Sequence, residues 1–369
     1  MPTALRFVAI AVLMPKTVVV LADHIKSPDV QPDGTVTFRL KSKAATEILV
    51  DLKGKKTSMS KGESDIWSAT ISDLKPGIHE YVFEVDGTRV TDPANRNIKK
   101  WFSLASMVEI PAKIPLLTEF RDVPHGVVQR LIYYSNATKS QRPVVVYTPP
   151  GYNHKSNVEL PLIVLMHGFG DDETAWTEVG RAHHIADNLI AEKRIQKCVI
   201  AMPFGHPIPA PFADRPDDYF PDNSELYDAD IIQNLLPFLE ENFHLQKSAE
   251  GRSIVGLSMG GGHAVHTGLR HVDTFSSIGA FSAAVPELNA KEMVAQYPSL
   301  TGESPTANNL KHFWIPIGVD DFLLDRNDEF VDILKKQNVQ HSYTQTDGGH
   351  QWSVWRKYLP MFLEKVVAK

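Results

Sequence analysis

Only one cysteine, Cys198, occurs in 369 residues, which excludes an intrachain disulfide. It sits in the apolar run Cys198-Val-Ile-Ala-Met and reads as a buried core residue. No run of lysine and arginine stands out and the formal net charge is −6, so the basic footprint of a nucleic-acid binder is missing. Beyond the N-terminus, no stretch reaches the roughly 18 apolar residues that a membrane span requires. Histidine is plentiful at 15 residues, yet the pair His183-His184 lacks a third ligand at a zinc-type spacing. No feature calls for a metal or a cofactor. What is present is the composition of a globular protein, 43% hydrophobic and 22% charged, with 25 prolines that imply many extended connections.

The N-terminus stands apart. Phe7–Met14 and Thr17–Leu21 are apolar, interrupted by Pro15 and Lys16, and Val20 and Ala22 occupy the small-residue positions of a cleavage site before Asp23. Residues 1–22 are therefore expected to be a signal peptide, and the protein to be secreted or periplasmic.

Two kinds of pattern follow. From about residue 30 to 110 short alternating segments come close together: Thr35–Leu40, Glu47–Leu52, Asp65–Ile71 and His79–Val85. Turns such as Pro32-Asp-Gly, Lys53-Gly, Pro76-Gly and Asp86-Gly separate them, which predicts a small antiparallel, immunoglobulin-like sandwich. Prolines at 111, 115 and 124 mark an extended linker, so the sandwich with its linker is expected over 23–115 and a second domain over 116–369. That second domain carries near-continuous apolar runs: Leu160–Met166, Cys198–Met202, Ser253–Leu257, Phe275–Phe281 and Phe313–Gly318. Such runs suit strands buried on both faces of a mostly parallel sheet. Amphipathic stretches at Ala182–Lys193, Asp228–Phe243, Asp328–Lys336 and Val354–Val366 alternate with them, giving a doubly wound α/β domain. Functional residues are expected just beyond the carboxyl ends of its strands.

Gly256-Leu-Ser-Met-Gly lies in that position, between an apolar strand and a glycine-rich helix start. This is the pattern of a nucleophile elbow, with Ser258 at its tip and the Met259 N–H available to an oxyanion hole. A second donor is expected from His167-Gly-Phe-Gly, directly behind Leu162–Met166, with Phe169 preferred over Gly168 and His167 holding the loop. His350, in Asp347-Gly-Gly-His-Gln-Trp after the last strand-like run, is the candidate base. His263, His266 and His271 fall on the helix after Ser258 and read as ordinary helix histidines. The acid should lie between Ser258 and His350, where Gly318-Val-Asp-Asp ends a strand. Asp320 and Asp321 alternate in direction, so one of them serves, with Asp321 preferred.

Taken together, these residues resemble carbohydrate esterase family one, which includes feruloyl and acetyl-xylan esterases, esterase D-like proteins and siderophore esterases. The likeness spans about 120–369 and rests on Asp122-Val-Pro-His-Gly, Val146-Tyr-Thr-Pro-Pro-Gly-Tyr, His167-Gly-Phe-Gly-Asp-Asp-Glu, Gly256-Leu-Ser-Met-Gly-Gly, Gly318-Val-Asp-Asp-Phe-Leu and Gly348-Gly-His-Gln-Trp. The resemblance implies an α/β-hydrolase fold and a Ser258, Asp321, His350 triad. Residues 28–100 are similar to family 48 carbohydrate-binding modules through Pro32-Asp-Gly-Thr-Val-Thr-Phe-Arg, Trp67, Tyr81-Val-Phe-Glu-Val-Asp-Gly and Asp92-Pro-Ala-Asn. They depart from them at Asp51-Leu-Lys. Trp67 could be a sugar platform or a core residue. The expected substrate is a feruloyl or acetyl ester on plant xylan. The alternatives are an enterobactin-type siderophore ester and, with every triad position filled, a much weaker noncatalytic glycan binder. An anionic triscatecholate would call for Arg and Lys around the site, whereas the adjoining loops, Asp171-Asp-Glu and Asp214-Arg-Pro-Asp-Asp, are acidic. Phe204, Phe212, Tyr219 and Phe220 follow a strand end and are expected to offer an acyl ring a flat apolar surface.

Overall fold

The computed structural model describes residues 25–208 and 219–369, so the expected signal peptide and Phe212 lie outside the described residues. The N-terminal region forms strands β1 (Asp29–Val30), β2 (Val36–Lys41), β3 (Ile48–Leu52), β4 (Lys55–Ser58), β5 (Ser60–Lys61), β6 (Ile66–Ile71), β7 (Gly77–Val85), β8 (Thr88–Val90), β9 (Ile98–Lys99) and β10 (Ala105–Ile110). They make one sheet in the order β1-β2-β6-β5 and a second in the order β4-β3-β7-β10-β9, with β8 on β7. Alternation along β2 buries Val36, Phe38 and Leu40 against Ile48, Val50, Tyr81 and Phe83. Trp67 belongs to this core, and its indole N–H donates to the Ser42 carbonyl at 2.9 Å, so it is not a sugar platform. Asp92 is buried and accepts hydrogen bonds from Ser27 and Tyr81 at 2.6 and 2.7 Å, which explains its place in the motif. The ladder of β10 with β7 was not foreseen, because Ala105-Ser-Met-Val-Glu-Ile alternates poorly.

The C-terminal region holds one eight-stranded sheet in the order β11-β12-β14-β13-β15-β16-β17-β18. Its strands are β11 (Val127–Ser135), β12 (Ser140–Thr148), β13 (Leu162–Met166), β14 (Val199–Pro203), β15 (Arg252–Leu257), β16 (Ser277–Phe281), β17 (His312–Gly318) and β18 (Ser342–Thr346). From β14 to β18 neighbours run parallel, while β11 and β12 form an antiparallel edge. That edge also escaped the sequence reading. Exposed Val128, Ile132 and Tyr134 give β11 no clean buried face.

The period of two makes β13 serve both layers. Leu162, Val164 and Met166 pack with Tyr227, Leu235, Val265 and Phe330, whereas Ile163 and Leu165 pack with Trp176, Ile185, Trp355 and Phe362. The helices on the two faces are α1 (Ala175–Glu178), α2 (Ala182–Ala191), α3 (Tyr219–Asp230), α4 (Leu236–Asn242), α5 (Met259–Arg270), α6 (Ala290–Gln296), α7 (Leu324–Lys336) and α8 (Trp352–Val366). Helix α3 runs into α4 through a π-helical turn, Ile231–Leu235. It begins well before the expected Asp228, because Asp222, Asn223 and Ser224 disguise its first turns. Among the described residues no helix is long and apolar enough to cross a membrane. The order of strands and the layers of helices are those of an α/β-hydrolase.

The sandwich is fastened to the larger region by apolar contact. Ile78 on β7 and Met107 on β10 join the core cluster that contains Val145, Trp176 and Trp355. Arg356 on α8 reaches the Val179 carbonyl at 2.8 Å and the Ile78 carbonyl at 3.5 Å. A chain beginning at Leu116 would uncover this cluster. Full-length protein should unfold in one transition with urea, and the Leu116 chain at a lower urea midpoint. A truncated chain as resistant as the parent would show that Ile78 and Met107 add nothing to its stability.

Candidate active site

Strand β15 ends at Leu257 and α5 begins at Met259, leaving Ser258 alone to reverse the chain. It does so at φ 53 and ψ −118, a backbone region that side chains disfavour. Two glycines make the turn possible. A Cβ on Gly256 would lie 2.4 Å from the Gly260 carbonyl oxygen, and one on Gly260 would lie 2.5 Å from that of His167. The Met259 N–H, first in α5, has no acceptor within the helix and lies at its positive end.

Loops beyond β17 and β18 bring the other groups to Ser258. His350 Nε2 lies 2.9 Å from Ser258 Oγ. His350 Nδ1 lies 2.9 and 3.0 Å from the two carboxylate oxygens of Asp321. The Asp321 side chain is fully buried and also accepts the Leu323 N–H at 3.0 Å, whereas Asp320 is exposed to solvent. Of the two adjacent carboxylates, only Asp321 meets His350. Phe322 stands over the imidazole with ring centroids 4.4 Å apart, and Trp355 meets it edge-on at 4.9 Å.

The loop after β13 is fixed from beneath. His167 accepts the Gly205 N–H on Nε2 at 2.8 Å and holds the Gly168 carbonyl through Nδ1 at 2.8 Å. Burial lowers its pKa to about 4, so it is neutral and donates from Nδ1. His206 holds the Phe169 carbonyl through Nε2 at 2.9 Å, and its Nδ1 accepts the Tyr219 hydroxyl at 2.8 Å. Burial takes the His206 pKa down to about 3. Arg142 in turn donates to the His206 carbonyl at 2.8 Å and to that of Phe204, and pairs with buried Asp230 at 3.1 Å. No sequence signal joined Arg142, His206 and Phe169, since 27 or more residues separate them along the chain.

The aromatics divide differently from the sequence expectation. Tyr219 is only 3% exposed and packs the loop through His206. Phe204 stacks on His167 with centroids 5.7 Å apart, and Phe220 meets Phe169 at 5.7 Å. None of Phe204, Tyr219 and Phe220 lines the cavity beside Ser258. That cavity, about 520 Å³, takes its aromatic surface from Phe169, Phe322, Trp352 and Trp355. Two sandwich residues reinforce the loop: Trp101 lies 5.1 Å from Phe204, and Phe102 lies 5.5 Å from Phe169. His263, His266 and His271 make hydrogen bonds with Asn223, Tyr297 and Asp228 respectively, away from Ser258.

The cavity's charge also departs from the loop composition. Asp171 pairs with Lys99 of β9 at 3.5 Å, Asp172 accepts the Thr174 N–H at 2.9 Å, and Glu173 pairs with Arg130 at 2.8 Å. Burial raises the Asp171 pKa to about 6, with Lys99 opposing. Lys53, Glu80 and Lys99 of the sandwich line the same cavity. This acidic run is thus engaged, and the sandwich adds Lys53, Lys99 and Glu80 to the cavity, while Asp214, Asp217 and Asp218 of the other expected acidic loop lie outside the described residues.

With this geometry in hand, comparison places the chain among known proteins. Residues 135–365 match the family model described as "Putative esterase". An endo-1,4-beta-xylanase/feruloyl esterase of Xylanibacter ruminicola is 31% identical over 264 residues, 69% of this chain, although the chain spans only 36% of that protein's length. An acetyl esterase of Caldicellulosiruptor saccharolyticus is 22% identical over 63% of this chain and 95% of its own. A ferulic acid esterase structure matches at 25% identity and TM-score 0.56, covering 67% of this chain and 99% of its own. The enterobactin esterase of Shigella flexneri shares the fold over 90% of this chain and 92% of its own, at 18% identity and TM-score 0.64. The chain belongs to the esterase family.

Proposed function

We propose that this protein is a serine carboxylesterase that removes feruloyl groups from plant cell-wall xylan. The observation that carries the reading is the unbroken hydrogen-bond line Ser258–His350–Asp321 at the carboxyl ends of the central strands. The match to the Xylanibacter feruloyl esterase supports the acyl group.

In this reading the Ser258 oxygen attacks the ester carbonyl while His350 Nε2 takes its proton. Asp321 accepts the Nδ1–H, fixes the tautomer and stabilises the imidazolium. The oxyanion meets the N–H groups of Met259 and Phe169, and the loop bonds of His167 and His206 hold the latter in place. His350 then protonates the departing sugar oxygen. Water repeats the sequence on the acyl-enzyme and releases the acid, with neither metal nor cofactor in the cycle. Export through residues 1–22 would bring the enzyme to its polymer.

Ser258→Ala should keep the fold and lower turnover of methyl ferulate by roughly four orders of magnitude. A fluorophosphonate should label Ser258 in the parent alone. Near-normal hydrolysis by the folded variant would remove the basis of this reading.

Asp321→Asn should depress kcat by about 10⁴-fold, as loss of the correct tautomer does elsewhere, while Asp320→Asn stays within a few-fold of the parent. The opposite order in steady-state kinetics would assign the acid to Asp320.

The cavity's aromatic walls favour a planar acyl group over acetyl. Hydroxycinnamate esters should exceed acetyl esters in kcat/KM, and Phe322→Ala should narrow that preference roughly two- to tenfold, the scale of one aromatic contact. An unchanged preference would take Phe322 out of acyl selection.

A further inference from the structure

The hairpin between β3 and β4 turns on Lys53 and Gly54, both at positive φ (51 and 88). Two such residues in succession make the tight turn whose twist matches the flanking strands. Asp51 locks it by accepting the Gly54 N–H at 2.6 Å. The tip is therefore a stiff platform, and it carries Lys53 to the cavity beside Ser258. A second hollow of about 470 Å³ lies on the sandwich, lined in part by Asp51, Arg89, Val90, Phe102 and Leu104. Lys53 and Glu80 line both hollows, so the two adjoin.

The carboxylates along this path are engaged within the protein, Asp51 by the Gly54 N–H of the turn. Glu80 pairs with Lys99 at 3.4 Å, and Lys99 continues to Asp171 at 3.5 Å. Among the described residues, Lys53 and Arg89 have no carboxylate within ion-pair distance. Both side chains are exposed at the rims of the hollows, and although Glu80 acts on Lys53 at longer range, neither is tied up in an ion pair, so each is open to an anionic group of complementary charge on a ligand. Exposed Leu104 and Val90 beside it give a sugar ring apolar surface.

We propose that the Ser258 cavity and the sandwich hollow form one substrate path, on which Lys53 and Arg89 bind a carboxylate carried by the glycan, such as a uronate side group. This assignment rests on the reading of the protein as a xylan esterase and names its substrate class further. The sandwich thereby selects esters on acidic rather than neutral stretches of the polymer. Lys53 stands nearer the reacting bond and Arg89 further along the chain.

The test uses the full-length protein and two feruloylated xylo-oligosaccharides that differ only in one glucuronate. The parent should prefer the acidic one in kcat/KM by about fivefold, the scale of a pair of partly exposed charge contacts. Lys53→Gln combined with Arg89→Gln should bring the ratio to about one, mainly through KM. Lys53→Arg should retain the preference, and so should Lys55→Gln on the same hairpin, which does not line the path. Raising salt to roughly 0.5 M should erode the parent's ratio. An acidic-to-neutral ratio of one in the parent, or a ratio unmoved by the double substitution, overturns the proposal. So does a dihydroxybenzoyl ester whose advantage over a benzoyl ester depends on Lys53, since that assigns the cations to a catecholate. The Ser258→Ala variant separates this failure from failure of the esterase reading. Calorimetric titration with the unesterified acidic oligosaccharide should give a Kd lowered by Lys53 and Arg89 even if no feruloyl ester is turned over.

Discussion

The backbone of Ser258 is the constraint from which the site is built. Its φ of 53 can persist only because neighbouring elements over-determine it. Strand β15 is held in parallel register on β13, with Met166 opposite Gly256, and α5 lies across both. The absence of a side chain at Gly260 lets the helix start close upon the His167 carbonyl. That contact does more than permit the turn. It also sets the loop after β13 against the nucleophile, so the packing that strains Ser258 positions the two N–H groups proposed for the oxyanion hole.

A buried polar chain secures the other side of that loop. Asp230 has lost all contact with solvent, and Arg142 nearly so, and a pair in such surroundings is stabilising only when its remaining bonds are made. Those of Arg142 are made toward the site, to the carbonyls of Phe204 and His206, and Tyr133 is a second donor to the Asp230 Oδ2 that Arg142 reaches, whereas Asp230 Oδ1 has no hydrogen-bond partner among the described residues. His206 passes the restraint to the Phe169 carbonyl. Burial keeps both His167 and His206 neutral, which lets each use one ring nitrogen as donor and the other as acceptor. A charged imidazole could not accept the Gly205 N–H or the Tyr219 hydroxyl.

How much of this could be read from the chain depends on the range of the interaction. The meeting of Ser258, Asp321 and His350 was legible because a doubly wound sheet delivers the residues after its apolar strands to one edge. Alternation of side chains as the chain leaves β17 said that only one of Asp320 and Asp321 could face His350, and the family resemblance favoured Asp321. The parallel strands were legible from apolar runs, and β10 and β11 were not, because small residues in one and exposed residues in the other break their period; β12 was passed over although Val144–Thr148 are buried throughout. Tyr219 was misplaced for a different reason. Its neighbour Phe220 is half-exposed, and nothing local says which of two adjacent aromatics turns inward to His206. Phe322, 76% exposed beside His350, stood in the sequence only as part of the motif around Asp321, and nothing local marked it as a wall of the cavity.

Charge was the property least available to sequence reasoning. Counting Asp171, Asp172 and Glu173 together with Asp214, Asp217 and Asp218, the latter three outside the described residues, gave a negative rim and argued against an anionic substrate. In the folded chain Asp171, Asp172 and Glu173 are each engaged within the protein, and Asp171 is shielded by a lysine from the other region. The sandwich thus adds Lys53, Lys99 and Glu80 to the charges that line the cavity beside Ser258. Because Glu80, Lys99 and Asp171 form a line across the junction, removing the sandwich would leave Asp171 either buried without its Lys99 partner or newly wetted. Either outcome alters the loop that carries Phe169. Apolar packing through Ile78 and Met107 and ionic continuity through Lys99 thus couple the sandwich to the ester-binding cavity, and a role confined to distant polymer capture does not account for that coupling.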